Sequence, residues 1–381
     1  MSKCIMIGID AHDNNLVMKW AVDRGPMEKL VYQNRPESIR KMADQFQALR
    51  EREGATQLVA AYEASGLGFV LHDRLTQAGI ECHVLAPTKM PKSTKSRRQK
   101  SDDRDAEQVL ELIRGHLLAG NELPAVWIPD EQTRDDRDLV RARLDVSEKA
   151  GRLKTQIKAL LKRRGIEKPG RVGETWSRGY RRWLAEVLEW PVATQAGLRL
   201  ALGSLLRQLA QAEEEIDLLD QELKQLAAAA RHERKVAGLE RLRGVGLLTA
   251  LVYLTEMGDL ERFRNRRQVG AYLGLAPDSH ESGQIDDRKG HITHAGPSRV
   301  RKLLCQAAWS CVAHDERERA VYLRIVERNP KHNKIAVVAV MRRLGVRMWH
   351  VARAAEREAL PAPTPRRRQT SPRRIEQAPS C

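Results

Sequence analysis

The chain has 381 residues, which is long for one average domain and favours two or three. Lys and Arg number 67 against 50 Asp and Glu, so the formal net charge is +17, and 41% of the residues are apolar. That surplus favours a polyanionic partner, and no apolar run approaches the roughly 20 residues of a membrane span. The first residues do not have the layout of a signal peptide. We therefore expect a nucleic-acid-binding protein of the cytoplasm with no membrane contact.

The first hundred residues alternate short apolar runs with amphipathic segments. The pattern predicts three strands in a meander, at CIMIGIDAH, LVMKWAVD and KLVYQN, followed by helix, strand, helix and strand. A further helix begins after Ser101, which is predicted to be its N-cap. This order is that of an RNase H-like α/β fold, in which clustered carboxylates hold two Mg²⁺ ions for phosphodiester chemistry.

Carboxylates occur where these elements begin or end. Asp10 ends the first predicted strand and Glu63 ends the fourth, which are positions where α/β sheets build sites. Asp102 and Asp105 share one face of the first turn of the next helix, whereas Asp103 lies about 100° around it and is expected outside the cluster. The helix dipole alone also favours acids in a first turn, so a surface role is the alternative.

Residues 133–235 are predicted to form a helical spacer. Apolar residues from Leu205 to Leu226 are spaced alternately by four and three, which is typical of a coiled-coil seam, within the chain or between subunits. A basic segment before this seam carries Trp176, Trp183 and Trp190 at heptad spacing. These tryptophans indicate either a buried stripe or a nucleic-acid surface. The arginines that would contact phosphates are Arg178, Arg181 and Arg182.

A mostly helical C-terminal domain is predicted over residues 236–355. Gly244 and Gly246 form a tight turn between two helices, where backbone N–H groups can bind phosphate. Ser282 lies in a polar loop beyond a helix that stops at Pro277, and its residue type alone indicates only a turn. Other basic candidates for nucleic-acid contact are Arg288, Lys289, Arg299, Arg301 and Lys302. The Pro- and Arg-rich residues 356–381 are predicted to be a disordered tail.

Several motifs in fixed order resemble those of one family. They are GIDAH, YEASGLGF, ECHVLAP and KSDDRDA in the first part, and LRGVGLLTA, QVGAYLGLAP, ESGQ and ITHAGPSRVRKLLCQAAW in the last. They resemble the DEDD-type transposases of bacterial insertion sequences of the "one-ten" family, relatives of the Piv-type DNA invertases. The resemblance implies a RuvC-like domain over residues 1–125, then a coiled coil, then a transposase domain.

The resemblance also implies a chemistry. The four Mg²⁺-binding acids, with two ions per site, would be Asp10, Glu63, Asp102 and Asp105. Ser282 would be the nucleophile of a covalent serine–DNA intermediate, and Ser279, three residues earlier, is a second candidate. The implied function is RNA-guided DNA transposition, in which a structured bridge RNA pairs with donor and target DNA.

Two further expectations concern assembly and reaction. The resemblance implies a homo-oligomer, dimer or tetramer, associated with the bacterial nucleoid, in which Ser282 of one subunit completes the acid site of another. The alternative function is a metal-dependent, RuvC-like endonuclease that resolves DNA junctions with water as the nucleophile.

Overall fold

The computed structural model describes residues 3–91, 101–190, 196–279, 289–328, 330 and 333–359. These residues fall into two compact units, Met1–Ile128 and Pro129–Cys381. Within the described ranges, no helix combines the length and the apolar character needed to cross a membrane.

The first unit is built on a five-stranded mixed sheet. Its strands are β1 (Lys3–Ala11), β2 (Asn15–Val22), β3 (Glu28–Gln33), β4 (Ala55–Glu63) and β5 (Glu81–Leu85). Its helices are α1 (Pro36–Glu53), α2 (Val70–Gln77) and α3 (Asp102–Ala119). The strand order is β3-β2-β1-β4-β5, with an antiparallel meander of β1, β2 and β3 and parallel pairing of β4 with β1 and of β5 with β4. The predicted mixed α/β class and element order are confirmed.

The two faces of this sheet carry separate apolar cores. Ile5, Ile7 and Ile9 of β1 belong to the core that includes side chains of α1 and α2. The alternate residues Cys4 and Met6 belong instead to the core that α3 covers. Because side chains alternate along a strand, the residues at positions 8 and 10 continue the face that α3 covers.

The second unit is mostly helical. Its helices are α4 (Glu131–Arg163), α5 (Arg178–Glu189), α6 (Ala196–Ala228), α7 (Glu233–Glu240), α8 (Leu247–Met257), α9 (Arg266–Tyr272), α10 (Ser298–His314), α11 (Glu316–Arg328) and α12 (Asn333–Ala359). Two short strands, β6 (Pro277–Ser279) and β7 (Lys289–Ile292), form an antiparallel pair where a polar loop was predicted. Helix α12 extends to Ala359, so the predicted tail does not begin at residue 356, and residues 360–381 lie outside the described ranges.

Helices α4 and α6 pack antiparallel along much of their length. Leu153 and Ile157 of α4 share a core with Leu209 of α6, while Val140, nearer the start of α4, shares a core with Leu223, nearer the end of α6. Much of the predicted apolar seam of α6 therefore faces α4 of the same chain. A seam contact between subunits stays a prediction.

Candidate metal centre and nucleic-acid contacts

Gly8 allows helix α3 to lie directly on strand β1. A Cβ atom at Gly8 would stand 2.3 Å from the Ala106 carbonyl oxygen and 2.4 Å from the Leu110 amide nitrogen. Only glycine is compatible with so close an approach of two backbones. Ala106 directly follows the acids of the first turn of α3, so this contact also fixes where that turn lies.

The acids on the sheet come to the same edge and face. Strands β1 and β4 are parallel with Ile9 opposite Tyr62, so the next residues, Asp10 and Glu63, are neighbours in register. Ala61, two residues before Glu63, is in the core that α3 covers. Since alternate residues of a strand share a face, Glu63 lies on the α3 side together with Asp10.

The first turn of α3 adds two more acids to this edge. The charges of Asp105 and Asp102 both act on the Asp10 carboxylate. Burial is the largest influence and raises the pKa of the Asp10 carboxyl above its ordinary value, the two acids raise that pKa further, and His12 lowers it. The surroundings of Asp10 therefore crowd negative charge, which a bound cation would relieve.

His12 lies between Asp10 and Asp102 and was missed by the sequence reasoning. Its Nε2 atom is 3.0 Å from Asp10 Oδ2 and 3.5 Å from Asp102 Oδ1, and one ligand atom from each of the three residues lies within 4.8 Å of the others. The available signal was its position two residues after Asp10, because alternate residues of an extended chain share a face.

Asp103 has different neighbours, in agreement with its predicted place outside the cluster. Its carboxylate contacts Lys19 Nζ of β2 at 3.3 Å and Lys29 Nζ of β3 at 2.5 Å. The hydrogen bond from Lys29 is the main cause of a lowered pKa for the Asp103 carboxyl. Asp103 thus ties the start of α3 to the meander. Ser101 is at the N-cap position as predicted, but its side chain makes no capping hydrogen bond.

The basic segment around α5 is only partly a nucleic-acid candidate. Trp183 is 3% exposed and lies in a core, whereas Trp190 is exposed. Arg181 makes two hydrogen bonds, of 2.6 and 2.8 Å, to the Glu213 carboxylate. Arg178 and Arg182 are exposed, and across the described ranges their side chains have no ion-pair partner.

The turn between α7 and α8 contains Gly244 and Gly246. Gly244 has φ +80°, and a Cβ there would stand 2.6 Å from the Ala307 carbonyl oxygen of α10. The close packing of this turn against α10 therefore requires glycine at this position. Gly246 is the N-cap of α8, and a Cβ there would meet nothing within 4 Å. The turn lines an open depression of about 450 Å³. It is therefore accessible to a phosphate group.

The basic residues of α10 are engaged inside the unit. The Arg299 side chain is 3.0 Å from Asp145, and Lys302 Nζ is 2.7 Å from Glu148. Both pairs tie α10 to α4 and are open to solvent. The Arg301 guanidinium donates to the backbone carbonyls of residues 273 and 296, at 3.2 and 2.9 Å, and burial lowers its pKa. Arg301 therefore holds backbone in place, whereas Arg299 and Lys302 remain reachable from solvent.

The predicted nucleophile and its neighbours fall around the β6–β7 pair. Ser282 and Arg288 lie outside the described residues, in the part of the sequence between β6 and β7. Ser279 is at the end of β6 and Lys289 at the start of β7, and only their backbone is described. The roles expected for these four residues stay predictions.

Comparison with known proteins finds matches in both units. A family model for DEDD transposases of the IS110 type matches residues 7–165, a range that includes all four predicted metal-binding acids. A second model, described as the transposase IS116/IS110/IS902 family, matches residues 236–323.

Similar whole proteins are also transposases by name. The putative transposase y4qE of Sinorhizobium fredii is 32% identical over 318 residues, which cover 77% of this chain and 75% of the relative. A second protein of that organism, the putative transposase y4rJ, is 30% identical over 83% of this chain and 82% of its own length. The transposase for insertion sequence element IS1533 of Leptospira borgpetersenii is 25% identical over 66% and 70%.

Proposed function

This chain belongs to the IS110 family of DEDD transposases, and from that premise we propose that it cleaves and exchanges DNA strands by transferring phosphodiester bonds. It is a transposase of an insertion sequence, with a DEDD domain of the RNase H-like kind. The observation that supports the proposal is that Asp10 and Glu63 are register neighbours on the sheet face that α3 covers, and that Asp102 and Asp105 of α3 act electrostatically on Asp10.

The acids fit a divalent cation by their chemistry. Carboxylate oxygens are the ligands that Mg²⁺ prefers, and the crowding of negative charge around Asp10 is what a cation neutralises. Two Mg²⁺ ions would be held by Asp10, Glu63, Asp102 and Asp105. When bound, such ions supply Lewis-acid stabilisation of the charge that develops on phosphate oxygens. The chain contributes the fixed spacing of these acids, through Gly8 and through the contacts of Asp103.

Ser282 is the proposed nucleophile. Its hydroxyl oxygen attacks a DNA phosphorus, so that a Ser–O–P bond forms and the P–O bond to the leaving deoxyribose oxygen breaks. The serine loses its proton and the leaving oxygen gains one, so one phosphodiester replaces another. Because the bond energy is retained in the covalent intermediate, strand joining needs no nucleotide triphosphate, and the sequence contains no P-loop pattern.

The partners are donor and target DNA together with a structured guide RNA. Three features support contact with long polyanions: the net charge of +17, the exposed Arg178 and Arg182, and the open turn at Gly244 and Gly246. We propose a dimer or tetramer in which Ser282 of one subunit serves the acids of another. The exposed Leu200 and Leu218 of α6 offer apolar surface for such contacts.

Covalent attachment of protein to DNA tests the nucleophile. Full-length protein is incubated with Mg²⁺, DNA carrying the element ends and RNA transcribed from the element, then denatured, and DNA migrating with protein is measured. Ser282→Ala should abolish the adduct and strand exchange, whereas Ser279→Ala should retain both. Asp10→Asn should abolish the adduct while leaving nucleic-acid binding intact.

The same assay separates transposition from junction resolution. If water were the nucleophile, Ser282→Ala would still cut DNA at the wild-type rate and no adduct would form in any variant. Cleavage by Ser282→Ala, or an adduct that survives the substitution, would therefore reject the serine mechanism and favour the endonuclease.

A further inference from the structure

His12 occupies the space between two acids of the proposed metal centre. The separations from its Nε2 atom are 3.0 Å to Asp10 and 3.5 Å to Asp102. Two ligands at right angles on an octahedral ion, each about 2.1 Å from it, lie about 3.0 Å apart. The His12–Asp10 separation therefore equals that of neighbouring ligands on one small cation, and the His12–Asp102 separation of 3.5 Å is close to it.

Hydrogen bonds fix the backbone of His12 on both sides. Its N–H donates to the Asn15 carbonyl at 2.9 Å, and its own carbonyl accepts from the Asn34 side chain at 2.8 Å. The Asn34 N–H in turn donates to the Asn14 carbonyl at 2.8 Å. The turn that carries His12 is thus tied to the residue after β3. The backbone of a ligand held in this way loses little conformational freedom when an ion binds.

The position is also open to an ion and to its water ligands. The His12 side chain is 47% exposed, and with Asp102 it lines a depression of about 360 Å³. The Asp10 side chain is 17% exposed, so the site has one sheltered carboxylate and two ligands at its entrance. Small hydrated cations can therefore reach all three ligand atoms.

We propose that His12 is a nitrogen ligand of a divalent cation that Asp10 and Asp102 hold with it. The centre is then a mixed carboxylate–imidazole site instead of a purely carboxylate one. The inference rests on the proposed function, because it takes the acids as metal ligands. Mn²⁺ accepts the carboxylate ligands that suit Mg²⁺ and, as a transition metal, also binds imidazole nitrogen, so it fits a site of this mixed kind.

A second histidine in the same unit provides a matched control. His72 Nδ1 lies 3.0 Å from the carboxylate of its neighbour Asp73, which is an ordinary contact of a histidine with one acid. His12 differs because it contacts two acids that come from separate elements. A general histidine–carboxylate effect would appear in both positions, whereas metal ligation appears only at His12.

Mn²⁺ is the probe for the test, since nitrogen ligands of this ion are visible by pulsed electron paramagnetic resonance. The full chain is stripped with a chelator and titrated with Mn²⁺. Wild type and His72→Ala should show ¹⁴N coupling from a bound imidazole. His12→Ala should lose that coupling, and its Mn²⁺ affinity should fall by at least about tenfold.

Three other outcomes would each reject either His12 as a ligand or the acid centre as a metal site. Mn²⁺ binding that is lost in Asp10→Asn but shows no ¹⁴N coupling in wild type rejects His12 as a ligand and keeps the acid centre. Coupling that persists in His12→Ala also rejects His12. No Mn²⁺ binding by wild type rejects the acid centre itself. The wild-type spectrum decides the question even if His12→Ala fails to fold.

Discussion

At the scale of single residues, Gly8 determines how closely α3 lies against β1. The atoms that a side chain would meet there belong to the main chain of Ala106 and Leu110, and main-chain atoms cannot rotate aside. The whole helix would have to move away, and Asp102 and Asp105 would move with it. One position in a strand therefore controls the separation of acids on two elements.

Gly8→Ala is expected to lower both stability and metal affinity. Overpacking of this kind costs about 1–3 kcal/mol of unfolding free energy, and the displaced helix separates Asp102 from Asp10. Denaturant unfolding and Mn²⁺ titration measure the two effects. Gly66→Ala is the control, since a Cβ there meets nothing within 4 Å. Equal behaviour of the two variants would contradict this account of Gly8.

The aspartates and His12 show how much of the candidate site the sequence alone could predict. Helical geometry separated Asp102 and Asp105 from Asp103 because an angle around a helix is local information. The sequence could not show that Asp103 contacts Lys19 and Lys29, because those contacts depend on the packing of α3 across the sheet. For His12 the position two residues after Asp10 was a local signal, but its contact with Asp102 was not predictable because Asp102 is distant in sequence.

At the scale of elements, α6 presents two different faces. Leu209 and Leu223 are buried and face the side on which α4 packs, whereas Leu218 is 57% exposed and Leu200 is 66% exposed. The buried stripe stabilises the second unit, and the exposed leucines are available for contact with another molecule. One substitution on each face can therefore distinguish an effect on folding from an effect on association between molecules.

Leu223→Lys should destabilise the second unit, whereas Leu218→Lys should not. Burying an ammonium group and removing a leucine from a core costs about 2–5 kcal/mol, while an exposed substitution usually changes stability by less than about 0.5 kcal/mol. Chemical denaturation measures both. Leu218→Lys should reduce the mass measured by light scattering if that face joins subunits. A stable Leu223→Lys variant of reduced mass would instead place the seam between subunits.

Elements with local signals were predictable, and short ones were not. The bounds of α1 follow from Pro36 at its start and Gly54 in the left-handed conformation after its end. Strands β6 and β7 were missed because three or four residues cannot display a period of two. Pairing of α4 with α6 was likewise open, since an apolar stripe does not identify its partner.

At the scale of the whole molecule, only part of the positive charge surplus is available to bind nucleic acid. Many arginines are engaged by carboxylates, as Arg181 is by Glu213, while Arg178 and Arg182 have exposed guanidinium groups without an ion-pair partner in the described ranges. A cation that already has a partner must give it up before it can hold a phosphate. Net charge therefore overstates the number of groups ready to bind nucleic acid.

Arg182→Gln should weaken nucleic-acid binding more than Arg181→Gln does. Loss of a free guanidinium removes about 1.5 kcal/mol, the lower range for a hydrogen bond to a charged group. Arg181→Gln should mainly affect stability, because it leaves Glu213 with fewer donors. Filter binding of the element's DNA and RNA, beside thermal melts, measures both. A larger binding defect for Arg181→Gln would contradict this ranking.

The ion pairs of Arg299 with Asp145 and of Lys302 with Glu148 also bear on how ionic strength acts. An unpaired protein cation that meets a phosphate releases a counterion condensed on the nucleic acid, and the entropy of that release is lost in concentrated salt. A paired cation that moves to a phosphate instead frees a carboxylate, which attracts a small cation from solution. The uptake of a cation by the freed carboxylate then offsets the release of a counterion from the nucleic acid. If Arg299 and Lys302 of α10 exchange their carboxylate partners for phosphates, the affinity for nucleic acid at this site should therefore change little with added salt. That affinity would depend on how well the phosphate fits.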